Sequence, residues 1–291
     1  MIQVDNLLSQ YKLSLQGKDL SGQTVRGYMN DLRKFINWYQ ETEGELPGMN
    51  NIGPLDLAEF KKHFQNKNQK PATINRAIMA LSSFFGWCIE QGHLSHNPAI
   101  NIKLLPEVKT APKSLSRTEQ LSLMRSVQGS GKIRDVAIIT LLLHTGLRVS
   151  ELCSLTIDDV AIKERSGYLV VRSGKGNKRR EVPLNSTART ALKEWLKMKN
   201  GSNSLFTGKG SDSLSSRAVE YLIDKYSYKA RLEKITPHVL RHTFCKSLVD
   251  AGESLDRVAN LAGHANLITT AKYTKATGKD LQKAVEKLSW E

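Results

Sequence analysis

Apolar residues recur at helical spacing through most of the chain. Val4, Leu7, Leu8, Tyr11 and Leu15 mark a first helix. Ser21 can cap a second, running to about Thr42, with Val25, Tyr28, Met29, Leu32, Phe35, Ile36 and Tyr39 on its inner face and with Gly44 and Pro47 ending it. Pro54 to Gln65 predicts a third. Pro71 opens a fourth, to Gln91, which buries Ile74, Ile78, Leu81, Phe84, Phe85 and Cys88 before Gly92 stops it and Pro98 prevents its resumption. Residues 101–114 hold two prolines and three lysines and predict an extended linker. The helical stretch over 1–100 is therefore expected to be one domain and 115–291 another.

In the second domain Ser116 caps a helix through about Val127. Lys132 to His144 is more apolar, with Ile138, Ile139, Leu141, Leu142 and Leu143, and is the expected core. Gly146 breaks it just before Arg148. The period then changes. GYLVVR at 167–172 and REVPL at 180–184 predict two strands joined by SGKGNKR, a tip rich in Gly and Lys. Helices resume at Ser186–Met198, Ser215–Tyr228 and Pro237, with SLF at 204–206 as a short strand between the first two. Three pieces close the chain: Leu255–Leu261, Leu267–Tyr273 and Lys279–Leu288. The fold class is mainly α with a small antiparallel β-sheet, in two domains.

Charge narrows the partner. The 43 Lys+Arg against 28 Asp+Glu give a formal net charge of +15, which favours a polyanion, nucleic acid first. No apolar run has transmembrane length, and the N-terminus lacks a basic-then-apolar signal pattern. Cys88, Cys153 and Cys245 are far apart in apolar, helix-like contexts. They fit core residues of a reducing cytoplasm rather than a disulfide frame or a zinc site.

The stretch from Thr236 to Tyr273 concentrates the chemistry. His238 and Arg241 share one helix face, and guanidinium forks suit nonbridging phosphate oxygens. Arg148 sits at a helix break that can present its side chain from a fixed backbone. Two such charges would offset that of a five-coordinate phosphorus. Tyr273 has an unperturbed pKa of about 10 and needs positive charge and a proton acceptor nearby. His238 is the candidate base, His264 a hydrogen-bond donor to phosphate, and Lys175 the acid for the leaving oxygen. Glu151 is placed to orient Arg148 or His238. Lys70, Asn75 and Arg76 near a helix start, with Lys178 and Arg179 in the hairpin, are candidate DNA contacts. Taken singly, each has a plainer reading as a core histidine, a surface arginine, a packed tyrosine or a solvated hairpin. Other chemistries lack their motifs: HVLRH is not HExxH and has no convincing third ligand, no G-x-S-x-G elbow occurs, and the glycines around Lys175 lack a GK[ST] ending.

TGLRVSEL, GKGNKRREVPL, TPHVLRHTF, LAGHANLITTAKYT and KPATINRAIMALSSFF together resemble the tyrosine recombinase (phage integrase) family, its simple Xer-like members above all, over nearly the whole chain. The resemblance implies an N-terminal SAM-like helical core-binding domain, a linker and a catalytic domain that clamp DNA. It implies Arg148, Lys175, His238, Arg241 and His264 as catalytic residues with Tyr273 as nucleophile. Cutting and rejoining would pass through a 3′-phosphotyrosine and a Holliday junction, with neither metal nor nucleotide cofactor. It further implies a homo-tetramer on inverted-repeat core sites, with the terminal helix either docking on a neighbour or closing its own domain. Ala262 departs from the commoner LLGH without touching a catalytic role. The chain starts almost directly at the core-binding domain, which disfavours a lambda-type architecture and leaves chromosome or plasmid dimer resolution, cointegrate resolution or integration for a mobile element. A DNA-binding protein without turnover has no use for the phenol. A type IB topoisomerase would share the covalent chemistry without exchange between partner sites.

If Lys175 is the acid, Lys175→Ala should slow cleavage of ordinary DNA by about 10²–10⁴-fold and far less on DNA with a 5′-bridging sulfur, whose departure needs little proton donation. Single-turnover cleavage of the two substrates measures this; equal losses would remove Lys175 from the role.

Overall fold

Caps set the helix boundaries of the first unit. The computed structural model describes residues 4–18, 20–107, 112–172, 179–208, 210, 213–264, 266–274 and 285–286. The chain divides into two compact units, Met1–Lys109 and Thr110–Glu291. In the first, α1 (Val4–Gln16) precedes α2 (Gly22–Glu43), which starts where the Ser21 hydroxyl accepts from the Thr24 amide and ends at Gly44 in the left-handed region. α3 (Pro54–Asn66) opens on a proline, with the Asp56 carboxylate accepting from the Gly53 N–H at 2.7 Å; α4 (Pro71–Glu90) also opens on a proline. Aromatic rings fill the space between the helices. Phe35 meets Phe60 edge-on at 5.2 Å, and Tyr11 meets Phe84 at 5.2 Å while donating its hydroxyl to Ser83.

Two polar residues are spent inside this unit. Asp31 is fully buried in α2 and accepts from Arg76 at 2.8 and 3.0 Å. Asn75 is 5% exposed, donates to the carbonyl of Leu105 and to Glu107, and accepts from the Leu105 N–H. Its carboxamide thus fastens the segment after α4 much as a neighbouring strand would. The expectation that Asn75 faces a phosphate gives way to this task, because a buried amide with its groups satisfied internally has nothing left to offer.

The second unit is built on α6 (Ile133–Thr145), whose Ile138, Ile139, Leu141 and Leu142 are wholly buried against α5 (Arg117–Gln128), α8 (Ser186–Met198) and α10 (Pro237–Asp250). α9 (Ser216–Lys229) is tied in by the buried Tyr226 hydroxyl donating to Asp135 at 2.8 Å. A three-stranded antiparallel sheet runs β1 (Val160–Ile162), β2 (Gly167–Val171), β3 (Arg180–Pro183), with Val171 opposite Arg180. Lys175 and Lys178 lie between β2 and β3, outside the described residues. Sequence periodicity does not predict β1, which is too short to show alternation. Ser204, expected in a strand, makes only a single bridge to Thr156.

A further short helix, α7 (Val149–Ser154), restarts immediately after Arg148, because the Glu151 carboxylate accepts from the Arg148 N–H at 2.8 Å. α10 begins at Pro237 under a Thr236 cap, and α11 (Leu255–Ala262) ends at Gly263. α12 (Ile268–Ala271) runs into a 3₁₀ turn, Lys272–Thr274. Of the expected terminal helix over Lys279–Leu288, only residues 285–286 are described, and they are helical. No helix among the described residues is long and apolar enough to cross a membrane.

Asn75→Ala removes three internal hydrogen bonds and should destabilise the first unit by about 1–3 kcal/mol. Urea denaturation checks this as a lowered midpoint with an unchanged slope.

Candidate active site

Two glycines and the end of one short helix assemble the site. Gly146 follows α6 at φ +61°, where a Cβ would lie 2.3 Å from the Phe244 ring; Gly263 follows α11 at φ +65°, where a Cβ would lie 2.8 Å from the Arg180 guanidinium carbon. Only glycine suits either position, on backbone and on space. α11 ends with carbonyls that have no partner within the helix and carry the negative end of its dipole. Arg241 donates to Ala262 O at 2.6 Å and to Gly146 O at 2.5 Å, and Arg148 donates to Gly263 O at 2.9 Å. Both guanidiniums are therefore aimed by the same helix end. Ala262 is wholly buried there.

Glu151 supplies the countercharge. It is 2% exposed and accepts from the Arg148 side chain at 2.8 Å and from Arg180 at 2.8 and 3.0 Å. Burial opposes its ionisation, but the hydrogen bonds from Arg180 and Arg148 outweigh it and hold the carboxyl below its usual range. Arg148 and Arg180 share this one carboxylate and Arg241 pairs only with carbonyls, so the pocket keeps an excess of positive charge. Arg241 shows the strain: burial, then Arg148, lower its pKa to about 10. The buried Nε of Arg180 has no hydrogen-bond partner among the described residues.

The phenol of Tyr273 is in the same place. Tyr273 is 3% exposed, packed with Phe244, Cys245, Val258 and Ala262. Its ring stacks on His264 with centroids 6.3 Å apart, and Lys272 Nζ stands 5.4 Å from its centroid. Burial, and then Cys245 beside it, push its pKa well above the ordinary value, so the phenol is neutral, and its oxygen lies in hydrogen-bond contact with His242 Nδ1 at 2.5 Å. His242 is lowered to about 4 by burial, then by Lys272 and His238; His264 is lowered to about 4 by burial, then by Arg241 and Arg148. Both imidazoles are thus neutral near pH 7. His264 Nδ1 lies 2.8 Å from the Thr270 hydroxyl.

Arg148, Arg241, His264 and Tyr273, all singled out in the sequence, come together, with Glu151 orienting Arg148. His238 is exposed one turn before His242, their centroids 6.4 Å apart, and it is His242 that holds the phenol. Sequence reasoning weighed His242 only as a metal ligand, although its i+4 spacing from His238 put both on one face. No group of three or more His, Cys, Asp and Glu side chains able to hold a metal ion occurs among the described residues.

The first unit carries a separate basic surface. Gln23, Arg26, Asn30, Arg33, Lys34 and Asn37 of α2 line an open cleft of about 580 Å³ with Arg76. Their helical spacing is visible in the sequence as the reverse of the apolar stripe. Lys70 and Arg179 are exposed, and Arg76 keeps over half its side chain exposed while paired to Asp31.

Comparison with known proteins adds a lineage. The phage integrase family model matches residues 113–279, and the phage integrase N-terminal SAM-like domain matches residues 8–92. The chain is 36% identical to tyrosine recombinase XerA of Pyrococcus furiosus over 281 residues, covering 94% of this chain and 90% of that one. It is 30% identical to the TnP I resolvase of Bacillus thuringiensis, covering 97% and 100%. Among solved structures it resembles the Tn1549 transposon integrase in complex with a circular intermediate DNA, with a TM-score of 0.76 at 23% identity, covering 99% and 100%, a likeness of fold.

The depressed histidines set a pH dependence. Unfolded imidazoles take protons near pH 6.5, whereas folded His242 and His264 resist down to about 4. The unfolded state therefore binds more protons in that window, and stability should fall as pH falls from about 6.5 towards 4. His242→Gln, which can still accept from the phenol, should unfold with about one proton fewer taken up per molecule near pH 5; urea midpoints across that range measure the difference in slope.

Proposed function

The chain belongs to the phage integrase family and is a tyrosine-type site-specific DNA recombinase, and on that premise we propose how its residues divide the work. What supports the assignment is the convergence of Arg148, Arg241, His264 and Tyr273 at the C-terminal end of α11, in a pocket with more guanidiniums than carboxylates. A phosphodiester entering there meets two guanidiniums already anchored by their other N–H groups, so little reorganisation accompanies charge development at phosphorus.

Tyr273 Oη attacks phosphorus, the bond to the 5′ oxygen breaks, and a 3′-phosphotyrosine forms beside a free 5′ hydroxyl. Arg148 and Arg241 hold the nonbridging oxygens and His264 donates to one of them. The buried, neutral phenol must first leave His242 and expose itself. We assign His238, exposed on the same helix face, to take the phenolic proton as it does so, and Lys175 to protonate the leaving oxygen. The covalent link keeps the bond energy, so attack by a 5′ hydroxyl of another strand reseals the backbone. Lys70, Lys178, Arg179 and the basic cleft of α2 with Arg76 would hold the DNA backbone.

Two sites with four strands to exchange and one nucleophile per chain call for a homo-tetramer, with the segment around Lys279–Leu288 reaching a neighbour. The task we propose is cointegrate or dimer resolution, or integration, for a mobile element or replicon, in the cytoplasm at the nucleoid. Its support is the likeness to a resolvase and to XerA along almost the whole chain.

A suicide duplex carrying inverted repeats from DNA flanking the gene tests the reading. The wild-type protein should leave an SDS-resistant 3′-phosphate adduct on Tyr273. Tyr273→Phe should bind that duplex within about threefold of wild type, since it loses one hydroxyl outside the phosphate-holding set, and form no adduct. An adduct on any other residue would overturn the nucleophile.

A further inference from the structure

We propose that Thr270 sets the tautomer of His264, so that Nε2 carries the ring proton and is the nitrogen offered to the phosphate. The inference rests on the reading of His264 as a phosphate donor and adds the residue that makes it one. A neutral imidazole has a single N–H, and which nitrogen bears it is decided by the hydrogen bond that the other nitrogen makes. His264 is neutral in this pocket, where burial and two arginines oppose its protonation. Donation to a phosphate oxygen is then open to one tautomer only, and the other would turn a lone pair towards the anion.

The Thr270 geometry decides between them. Its hydroxyl is 2.8 Å from His264 Nδ1, and the residue is wholly buried. That contact is the only side-chain hydrogen bond of Thr270 among the described residues. Were Nδ1 protonated, the hydroxyl would accept from it, and its own buried O–H would be left with no described acceptor, an arrangement folded proteins avoid. With Nδ1 unprotonated, the hydroxyl donates, both groups are satisfied, and the proton sits on Nε2. The same contact links the imidazole after α11 to the helix three residues ahead of Tyr273. Thr270 touches no reacting atom; it is a positioning residue that acts through His264.

The test combines ring ¹⁵N spectra of histidine-labelled protein, with His264 assigned by loss of its signals in His264→Asn, and single-turnover adduct formation at saturating suicide duplex. In the wild type, His264 is expected as the Nε2–H tautomer. Thr270→Val, nearly the same shape without the hydroxyl, should lose that bias and form adduct about 10- to 100-fold more slowly, less than the 10²–10³ typical of deleting a donor outright. Thr270→Ser should restore both readouts. A wild-type His264 protonated on Nδ1 overturns the proposal. So does a Thr270→Val protein that keeps the Nε2–H tautomer whatever its rate, or one that changes tautomer and cleaves normally. If Thr270→Val fails to fold, the wild-type spectrum and Thr270→Ser still decide. Unimpaired cleavage by His264→Ala, which has no side-chain donor, would instead sink the donor role of His264 while leaving the tautomer assignment standing, so the two failures are distinguishable.

Discussion

Holding like charges together is the constraint on which the catalytic unit depends. Two cations about 5 Å apart at an effective dielectric constant near 20 repel by about 3 kcal/mol, and this pocket gathers Arg148, Arg180 and Arg241. The protein offsets that repulsion without neutralising it. One buried carboxylate, Glu151, is divided between Arg148 and Arg180, while the carbonyls at the end of α11 and at Gly146 take one further N–H of Arg148 and two of Arg241. Carbonyl dipoles orient a guanidinium but do not cancel its charge, so the pocket stays attractive to an anion. An acidic side chain in place of each carbonyl would have given a quieter interior and a useless site.

The same device explains why the glycines sit where they do. Gly146 ends α6 and presents a carbonyl to Arg241, and Gly263 ends α11 and presents one to Arg148. Each turns the chain by a left-handed step that brings a residue of the candidate site, Arg148 or His264, into place within two residues. Helix termination and the positioning of the site's side chains are one event here. Burial then does a second job, keeping His242, His264 and the phenol neutral near pH 7.

Much of this was legible in the sequence, and the gaps have physical reasons. Helices with a cap at one end and a glycine or proline at the other, such as α2 and α4, were readable because local chemistry alone terminates them. β1 and α7 were not: three and six residues are too few for periodicity to show; β1 is held by its pairing with β2, and α7 opens on a single capping carboxylate. Arg148, Arg241, His264 and Tyr273 could be picked out because a phosphate reaction needs their types together. Asn75 misled because a polar residue at a helix start looks the same whether it faces solvent or fastens a returning segment. His242 and Thr270 carry no signal of their own. Each matters through one hydrogen bond, to Tyr273 and to His264, that only tertiary packing creates.

Since α11 supplies carbonyls to both arginines and is followed at once by His264, the docking of an eight-residue helix decides whether any of the three is in position. Local opening of so short an element costs less than global unfolding, and it would dismantle the pocket all at once rather than by degrees. A molecule caught in that state has lost the anchors of both arginines and the placement of His264 together. For an enzyme that cuts and rejoins DNA this is a safe way to fail: a damaged copy leaves the duplex whole instead of cutting it and then being unable to reseal.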